Sequence, residues 1–344
     1  MKTRVAVAGS GFGLYGVLPA FQRIAECEVA GIFGERSERL LNYCGRTGVA
    51  FFSDWRAMLE ECRPEAMAVA VIPRHQQEIL AHAMERGISV FAEKPLAMDA
   101  GQARELLERA RAKKVAHVMD FLFPEIPEWG RARELLEGGA IGRVRHCKMK
   151  WRFLSHDIRN RMEGWKTRPE EGGGALSFYF SHVFYNLEFL LARMRRLRCG
   201  LVYQPETPGA GETGVRLEAE FASGCAGEVI FDCAFGGGHE HAWEFEGEDG
   251  TLTLEKTSAS FTRGFELRLR PKSGPTERVA VKPLECDASL DERVALVQSL
   301  GERFLRWQRE GVPARPDFSD GLRVQRLIEL ARASFQSKET VECV

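Results

Sequence analysis

Short apolar runs alternate with longer amphipathic stretches through the first third of the chain. The apolar runs predict strands at residues 5–8, 29–33, 67–72, 89–92 and 116–119. The amphipathic stretches predict helices at residues 18–25, 37–47, 55–61, 76–86 and 100–113. A continuous apolar run such as 67–72 is typical of a parallel strand that is buried on both faces. This alternation predicts right-handed β-α-β crossovers and a doubly wound parallel sheet.

After residue 123 the pattern is that of an α+β domain. Alternating polar and apolar positions, broken by Gly, Pro and Asp-Gly turns, predict strands at 144–153, 215–221, 226–235, 241–246, 251–255 and 265–269. Helices are predicted at 128–138, 176–191, 290–309 and 321–334, and a charged loop at 155–174. We therefore predict that residues 123–344 form a second domain on a large, mostly antiparallel sheet.

A cluster of glycines directly follows the first predicted strand. A helix-like stretch comes after the segment Gly9-Ser10-Gly11-Phe12-Gly13. Glycines permit a tight turn and allow backbone N–H groups to approach a pyrophosphate at a helix N-terminus. Leu14 occupies the place of the third glycine in the usual G-x-G-x-x-G pattern. The cluster predicts a dinucleotide-binding Rossmann domain at residues 1–122.

Composition limits the kinds of partner. A net charge of −1 gives no reason to expect nucleic acid or an anionic membrane as a partner. No apolar stretch approaches the roughly 20 residues that span a bilayer, and the N-terminus does not resemble a secretory signal. The nine scattered cysteines lack a C-x-x-C pair and fit reduced thiols. We predict a soluble cytoplasmic protein.

A lysine follows the predicted strand 89–92, in the segment Ala92-Glu93-Lys94-Pro95-Leu96. Ligands of open α/β sheets bind at the carboxyl ends of the strands, so Lys94 is expected to face the cofactor crevice. A lysine there can donate a hydrogen bond or a proton to a substrate oxygen during hydride transfer. The simpler alternative is a solvated loop lysine, which an isolated Lys-Pro pair would favour.

Several segments, in this order, resemble the glucose–fructose oxidoreductase, inositol dehydrogenase and rhizopine catabolism (Gfo/Idh/MocA) family. The likeness runs through nearly the whole chain. It is carried by the glycine turn, Leu18-Pro19-Ala20-Phe21, Ile72-Pro73, Glu93-Lys94-Pro95, Gly172-Gly173-Gly174-Ala175-Leu176 with His182, and residues 320–325. Members are mostly NAD(P)-dependent oxidoreductases that act on sugars, cyclitols and sugar nucleotides.

The resemblance implies an N-terminal Rossmann domain and a C-terminal domain whose open-faced sheet often forms the oligomer interface. We therefore expect a homodimer or a homotetramer formed through the C-terminal sheet. Cofactor contacts are expected from the glycine turn and from Glu35, Arg36, Ile72, Pro73, Gln76, Glu93 and Lys94.

His182 matches the catalytic histidine of the family, which together with the lysine handles the proton that accompanies hydride transfer. An imidazole titrates near neutral pH, so proton transfer in either direction is accessible. Many members carry a carboxylate four residues before this histidine, where this chain has Phe178. Phe180 and Tyr185 likewise stand where glycine and aspartate are common.

Phenylalanine can neither orient nor ionise an imidazole, which leaves three interpretations. Lys94 and His182 suffice for catalysis, or the dehydrogenase activity has been lost. In the third interpretation, Tyr179 or Tyr185, three residues to either side of His182, replaces the carboxylate as a proton-relay group.

The choice of cofactor is expected to depend on the segment Gly34-Glu35-Arg36 after the second predicted strand. A carboxylate there binds the ribose hydroxyls of NAD, whereas an arginine accommodates the 2′-phosphate of NADP. Gly34 aligns with the family's usual acid and leaves room for a phosphate beside Arg36, whereas Glu35 could take the ribose. We favour NADP over NAD slightly.

The charged loop contains the step Trp165-Lys166, which resembles a Trp-Arg or Trp-Lys step before the family's glycine loop. One alternative is a solvated loop. The other is that Trp165, Lys166 and Arg152 bind an anionic substrate, such as a sugar nucleotide or a sugar acid. His239 and His241 share one face of a strand, but no third ligand is spaced suitably, so no metal site is predicted.

The leading hypothesis is an NAD(P)-dependent oxidoreductase that acts on a carbohydrate-like alcohol or ketone. A non-catalytic, cofactor-binding sensor or regulator is the alternative that Phe178 keeps open. Elimination or glycoside cleavage through a transient ketone is a third possibility, which the sequence does not separate from simple dehydrogenation.

Overall fold

The computed structural model describes residues 2–343, which divide into two units. The first unit consists of residues 2–122 and 285–325, and the second of residues 123–284 and 326–343. The boundary between residues 122 and 123 therefore lies at the position predicted for the boundary between domains 1–122 and 123–344. Residues 285–325 differ from that prediction because they return to the first unit.

A six-stranded parallel sheet forms the centre of the first unit within residues 2–122. Its strands are β1 (Thr3–Ala8), β2 (Cys27–Phe33), β3 (Ala50–Phe52), β4 (Ala66–Val69), β5 (Ser89–Ala92) and β6 (His117–Met119). The order β3-β2-β1-β4-β5-β6 is that of a doubly wound dinucleotide-binding fold, which confirms the predicted fold class. Strand β3 was not predicted, because its three residues are too few to show a period.

Five helices connect these strands. They are α1 (Leu18–Gln22), α2 (Glu38–Thr47), α3 (Trp55–Cys62), α4 (Pro73–Glu85) and α5 (Ala100–Lys113). The side chains of Ser37, Asp54 and Asp99 accept backbone N–H groups at the starts of α2, α3 and α5. Such capping explains why these helices begin where they do.

The second unit begins with a 3₁₀ turn (Phe123–Glu125) and α6 (Pro127–Glu137). Next come β7 (Val144–Arg152), α7 (His156–Arg159), 3₁₀ turns at Trp165–Thr167 and Pro169–Glu171, α8 (Ala175–Phe178) and α9 (Phe180–Leu190). The strands β8 (Met194–Val202), β9 (Gly214–Phe221), β10 (Ala226–Asp232), β11 (Glu240–Gly247), β12 (Gly250–Lys256), β13 (Glu266–Pro271) and β14 (Glu277–Arg278) follow. The helix predicted at 176–191 is thus divided at Tyr179.

The C-terminal part of the chain, after β14, contains α10 (Val294–Glu310), α11 (Phe318–Ser337) and β15 (Val341–Glu342). Helix α10 belongs to the first unit because its Phe304 ring packs 6.4 Å from Phe21 and 6.0 Å from Phe91. All three side chains are fully buried. An amphipathic helix pattern does not say which of two cores will bury its apolar face, so the sequence did not assign this segment correctly.

The sheet of the second unit has nine strands within the described residues, in the order β14-β13-β12-β11-β7-β10-β9-β8-β15. Only β7 and β10 pair in parallel among them, so the prediction of a mostly antiparallel sheet is confirmed. Buried and exposed positions alternate along β9, which leaves one sheet face charged. Assembly through this face stays a prediction. Among residues 2–343, no helix is both long and apolar enough to cross a membrane.

Candidate functional site

The turn after β5 is held by a buried glutamine. The Nε2 atom of Gln76, on α4, donates to the backbone oxygens of Glu93 (2.7 Å), Pro95 (2.9 Å) and Leu96 (3.2 Å). Gln76 is 1% exposed. This places the half-buried Lys94 at the carboxyl end of the parallel sheet, as the sequence predicted, on a backbone with little freedom.

The glycine turn after β1 is shaped by close backbone approaches. Gly9 has a φ of +125°, and a Cβ atom there would lie 2.2 Å from the Ala70 oxygen. A Cβ atom on Gly13 would lie 3.3 Å from the Ala8 oxygen. By contrast, a Cβ atom on Gly11 would meet no atom within 4 Å. The turn is therefore tight against the sheet and open above Gly11, which fits the pyrophosphate of a dinucleotide.

The missing third glycine has a structural explanation. Residues Gly13–Val17 form a π-helical turn that continues into α1, and a π-helical turn holds one residue more than an α-helical turn. Gly13 makes the close approach to the strand, while Leu14 is 2% exposed and packs in the core. Gly16 lies against the Phe12 ring, where a Cβ atom would be 2.1 Å from a ring carbon.

The segment after β2 corrects one reason for favouring NADP. A Cβ atom on Gly34 would lie 2.7 Å from the Ser10 Cβ atom, so Ser10 fills the space that we expected a phosphate to use. The Ser10 hydroxyl also accepts the Glu35 N–H at 3.2 Å. Glu35 and Arg36 are both exposed just beyond this contact.

Sequence reasoning missed two arginines beside the glycine turn. The Arg293 guanidinium lies 4.3 Å from the centre of the Phe12 ring and 5.6 Å from that of Tyr15. It also forms two hydrogen bonds to Asp291, of 2.7 and 2.8 Å. The Arg39 guanidinium lies 5.5 Å from the centre of the same Tyr15 ring. No local pattern marks Arg293, because it reaches this turn from the returning segment.

The candidate histidine of the second unit lies among aromatic rings. His182, on α9, is 5% exposed, and its ring centre lies 5.4 Å from that of Phe123 and 6.1 Å from that of Phe261. Phe123 also contacts Trp151 at 5.7 Å and His241 at 5.6 Å. His182 therefore belongs to an aromatic cluster of the second unit.

His241 is a structural member of the same aromatic cluster. Its ring stacks on Trp151 at 4.7 Å and 6°, and its Nε2 atom accepts the Trp243 indole N–H at 3.0 Å. Burial, with a contribution from Lys256, lowers the pKa of His241 well below its ordinary value, so the ring is neutral. Residues 2–343 contain no group of three or more His, Cys, Asp or Glu side chains that could hold a metal ion.

The two candidate tyrosines have different surroundings. Tyr179 packs against Phe153 at 5.2 Å and Phe231 at 5.7 Å. Burial first, and then Cys233 and Asp157, raise the pKa of its hydroxyl above the ordinary value, so the phenol is neutral. The Tyr185 ring stacks on Phe189 at 6.1 Å.

Phe178 supports the Trp165-Lys166 step. The Trp165 ring meets it edge-on at 5.1 Å, and the Lys166 ammonium lies 5.3 Å from the centre of the Phe178 ring. Lys166 also pairs with Asp157 at 3.5 Å. The structure therefore brings Trp165, Lys166 and Phe178 together.

Arg152 does not join this group. Trp151 is the register partner of His241 and Phe231 on the two neighbouring strands, so these three side chains lie on one face of the sheet. Successive side chains of a strand point to opposite faces. Arg152 consequently lies on the other face, where its Nε donates to Glu240 at 2.8 Å. Its predicted role in substrate binding has no support from this position.

A buried acid at the end of β6 was also missed. Asp120 is 1% exposed and follows Met119, which is paired with Ala92 in the sheet. The sequence did contain a signal: Asp120 directly follows the predicted strand 116–119, just as Glu93 directly follows the predicted strand 89–92. If these two strands are parallel neighbours, both acids lie at the same edge of the sheet.

Comparison with known proteins agrees with this arrangement. A sequence model described as "oxidoreductase family, NAD-binding Rossmann fold" matches residues 3–121, and the Gfo/Idh/MocA C-terminal domain model matches residues 129–253. Together they cover more than half of the chain. The chain belongs to the Gfo/Idh/MocA oxidoreductase family. It is thus an NAD(P)-dependent oxidoreductase, as the resemblance predicted.

Relatives within the family match the whole length of the chain. An uncharacterised oxidoreductase of Synechocystis is 25% identical over 98% of this chain and 95% of its own. The dTDP-3,4-didehydro-2,6-dideoxy-alpha-D-glucose 3-reductase of Streptomyces violaceoruber is 26% identical over 98% and 96%. A levoglucosan dehydrogenase solved with NADH and L-sorbose has the same fold, with a TM-score of 0.85 and 19% identity over 100% of both chains.

Proposed function

We propose that this oxidoreductase transfers a hydride between a nicotinamide cofactor and an alcohol or ketone carbon of a sugar, cyclitol or sugar nucleotide. The observation that carries the proposal is the turn at residues 93–96, which Gln76 fixes at the carboxyl end of the sheet with Lys94 in it. The substrate class is supported by relatives such as the levoglucosan dehydrogenase of Pseudarthrobacter phenanthrenivorans, which is 23% identical over 84% of this chain.

Lys94 is the proposed proton donor or acceptor at the substrate oxygen. A bound nicotinamide supplies the hydride or takes it up. The lysine side chain hydrogen-bonds the reacting oxygen and compensates the negative charge that develops on it. The Gln76 hydrogen bonds keep the backbone of Lys94 in place, so little reorganisation is needed in this step.

His182 is the second candidate for proton transfer, and Tyr179 is the hydroxyl that best fits the role of the missing carboxylate. The neutral phenol of Tyr179 is a hydrogen-bond donor. Tyr179 lies one turn before His182, whose backbone N–H donates to the Tyr179 backbone oxygen at 3.1 Å. Tyr179→Phe and Tyr185→Phe separate these candidates. We expect a lower kcat for Tyr179→Phe, whereas unchanged turnover in both variants would remove the tyrosine hypothesis.

We propose that the protein accepts NADP and prefers it slightly to NAD. Gly34 has no side chain at the position of the family's usual acid, and Arg36 and Arg39 are exposed in the following segment together with Glu35. Two exposed guanidiniums favour a 2′-phosphate. Dissociation constants of NADPH and NADH, measured by fluorescence for the wild type and Arg36→Ala, test this. A strong preference of the wild type for NADH would contradict it.

We propose that Lys166 binds an anionic group of the substrate. Arg168 pairs with Glu163 at 2.9 Å and Arg152 with Glu240, which leaves fewer cations in this region for a ligand than the sequence suggested. Lys166 pairs with Asp157 at the longer distance of 3.5 Å, and its ammonium also faces the Phe178 ring. If neutral polyols turn over while sugar acids and sugar nucleotides do not bind, this part of the proposal fails.

The first experiment combines binding and turnover. Purified protein is mixed with NADPH or NADH, binding is followed by fluorescence, and oxidation is followed by absorbance with keto-sugars and sugar nucleotides. Turnover together with product analysis establishes the reaction and separates dehydrogenation from elimination. Tight cofactor binding without turnover would favour a sensor, the function that Phe178 at the family's carboxylate position supports.

A further inference from the structure

Two carboxyl groups lie side by side at the carboxyl end of the first sheet. Strands β5 and β6 are parallel neighbours with Ala92 opposite Met119, so Glu93 and Asp120 are the next pair. The Asp120 N–H donates to the Ala92 oxygen at 2.8 Å, which continues the ladder by one residue. Paired residues of adjacent parallel strands are separated by about 4.8 Å and project to the same face.

These two carboxyl groups differ in their surroundings. Asp120 is 1% exposed, and within residues 2–343 no N–H or hydroxyl group donates to either of its carboxyl oxygens. Glu93 is half-buried, and its Oε2 atom accepts the Lys94 N–H at 2.9 Å. The register places the Asp120 carboxyl next to that of Glu93, and Glu93 is one of the groups that raise the pKa of Asp120. Two neighbouring ionised carboxylates repel each other, so the pair favours holding one proton.

Burial assigns the proton to Asp120. Burial first, and then the adjacent Glu93, raise the pKa of Asp120 well above its ordinary value. The charged groups that face Asp120 are Glu93 and Lys94 at the end of β5 and Arg293 before α10. The two cations act in the opposite direction, but they do not outweigh the loss of solvation.

We propose that Asp120 is a protonated positioning residue, whose carboxyl group donates a hydrogen bond to Glu93 and thereby orients the Lys94 turn. The role given to Lys94 rests on the proposed function, whereas the proton between Asp120 and Glu93 does not depend on it. Gln76 fixes the turn through its carbonyl oxygens, and Glu93 fixes the Lys94 N–H. Asp120 completes this support, and the carboxyl pair then carries one negative charge beside Lys94.

The proton is tested without cofactor or substrate. Infrared spectra in D₂O at neutral pH are compared for the wild type and Asp120→Asn. The difference spectrum is expected to contain the carbonyl stretch of a protonated carboxyl group, which moves on ¹³C-labelling of aspartate. If the variant removes only a carboxylate band, the proposal is overturned.

The pH dependence of stability gives a second test. The folded state holds a proton that the unfolded chain releases above its ordinary pKa of 3.8, so wild-type stability falls as pH rises. Relative to Asp120→Asn, the unfolding constant of the wild type is expected to rise by up to about tenfold per pH unit above pH 4. Asp99→Asn removes the same charge from an exposed helix cap and serves as control. A constant ratio between wild type and Asp120→Asn would overturn the proposal.

The positioning role is tested by the chemistry of the replacement. Asn donates to Glu93 as a protonated Asp does, so Asp120→Asn is expected to keep kcat within about threefold of the wild type. Asp120→Ala removes the donor and is expected to lower kcat by about 10-fold to 100-fold, with KM and the Kd of NADH unchanged. Equal losses in both variants would contradict the positioning role. If no substrate turns over, the proposed function fails, while the infrared and stability tests still decide the position of the proton.

Discussion

The candidate groups of the two units are held in different ways. In the first unit, the backbone around Lys94 is held by hydrogen bonds to the side chains of Gln76 and Glu93. The glycine turn is held by close backbone approaches such as Gly9 against Ala70. In the second unit, His182 is enclosed by rings, with Phe123 and Phe261 as neighbours. One region is defined by the backbone, and the other by side-chain packing.

Because of this difference, substitutions in the two regions are expected to affect catalysis and stability differently. A side chain that leaves a fixed backbone can be replaced with little effect on the fold, so a variant of Lys94 should report on function. A ring in a packed cluster supports its neighbours, so its removal changes stability and function together. The predictions below test this distinction, beginning with the largest expected effect.

Lys94→Ala is expected to lower kcat by about 10²-fold to 10⁴-fold, the usual contribution of a positioned acid–base group. The backbone stays in place, because Gln76 bonds to neighbouring carbonyl oxygens, so the melting temperature and the affinity for cofactor should change little. Steady-state kinetics and fluorescence titration measure both. Lys113→Ala, at the end of α5, is the control. A folded variant with wild-type turnover would exclude Lys94 as the proton group.

Trp129→Ala is expected to reduce the free energy of unfolding by about 3–5 kcal/mol, the usual cost of deleting a large buried ring. Trp129 is 0% exposed, and its ring lies 4.9 Å from Phe123 and 5.3 Å from Trp243. Urea unfolding followed by fluorescence measures the loss. Phe335→Ala, at a ring that is 37% exposed, should stay within about 0.5 kcal/mol of the wild type. Similar losses in the two variants would contradict the packing argument.

The glycines of the first unit allow a matched pair. Gly9→Ala forces a side chain into positive φ against the Ala70 oxygen and is expected to cost about 1–3 kcal/mol of stability. Gly11→Ala meets open space, so it should leave stability within about 0.5 kcal/mol while it weakens NADPH and NADH binding. Thermal unfolding and fluorescence titration compare them. Unchanged cofactor affinity in Gly11→Ala would argue against a dinucleotide above this turn.

A buried histidine gives the first unit a response to acid. Burial lowers the pKa of His117 to about 4, and its Nδ1 atom accepts the Phe318 N–H at 3.2 Å. The unfolded chain binds a proton near pH 6.5 and the folded chain near pH 4, so stability is lost as pH falls through this interval. We expect a loss on the order of 1–3 kcal/mol, measured by urea unfolding at pH 7 and pH 4. His117→Gln should lose less, whereas the exposed-site variant His75→Gln should behave like the wild type.

The smallest effect is expected at Phe178. Phe178→Leu keeps an apolar side chain but removes the ring face next to the Lys166 ammonium, a contact worth about 0.5–1 kcal/mol at an exposed site. For an anionic substrate this should raise KM by about twofold to fivefold without a change in kcat. Phe189→Leu, at the ring beside Tyr185, is the control. A fall in kcat alone would show that Phe178 acts on the chemistry rather than on Lys166.

The sequence predicted those parts of the fold and site that depend on local pattern. The apolar runs identified five of the six parallel strands, and the segment around Lys94 was placed at a strand end because this requires only knowledge of where the strand stops. The π-helical turn at Gly13–Val17 was not predicted, because sequence spacing does not reveal the extra residue of such a turn.

The remaining features depend on contacts between distant segments. Arg293 reaches Phe12 only because α10 returns to the first unit, and Ser10 fills the space at Gly34 through a contact across two strand ends. Arg152 was assigned to the site by proximity in sequence, but the two-residue period of β7 places it on the opposite sheet face from Trp151. The alternation of the predicted strand 144–153 already contained this information, because neighbouring residues of a strand point to opposite faces.

The return of α10 also affects how the protein is made. Phe21 and Phe91 leave the ribosome long before Phe304, their partner in the core of the first unit. At translation rates of about 5–20 residues per second, the intervening chain takes roughly 10–40 s to emerge. During that time Phe21 and Phe91 lack the helix that covers them in the folded unit, and a polypeptide that ends at residue 122 lacks it permanently.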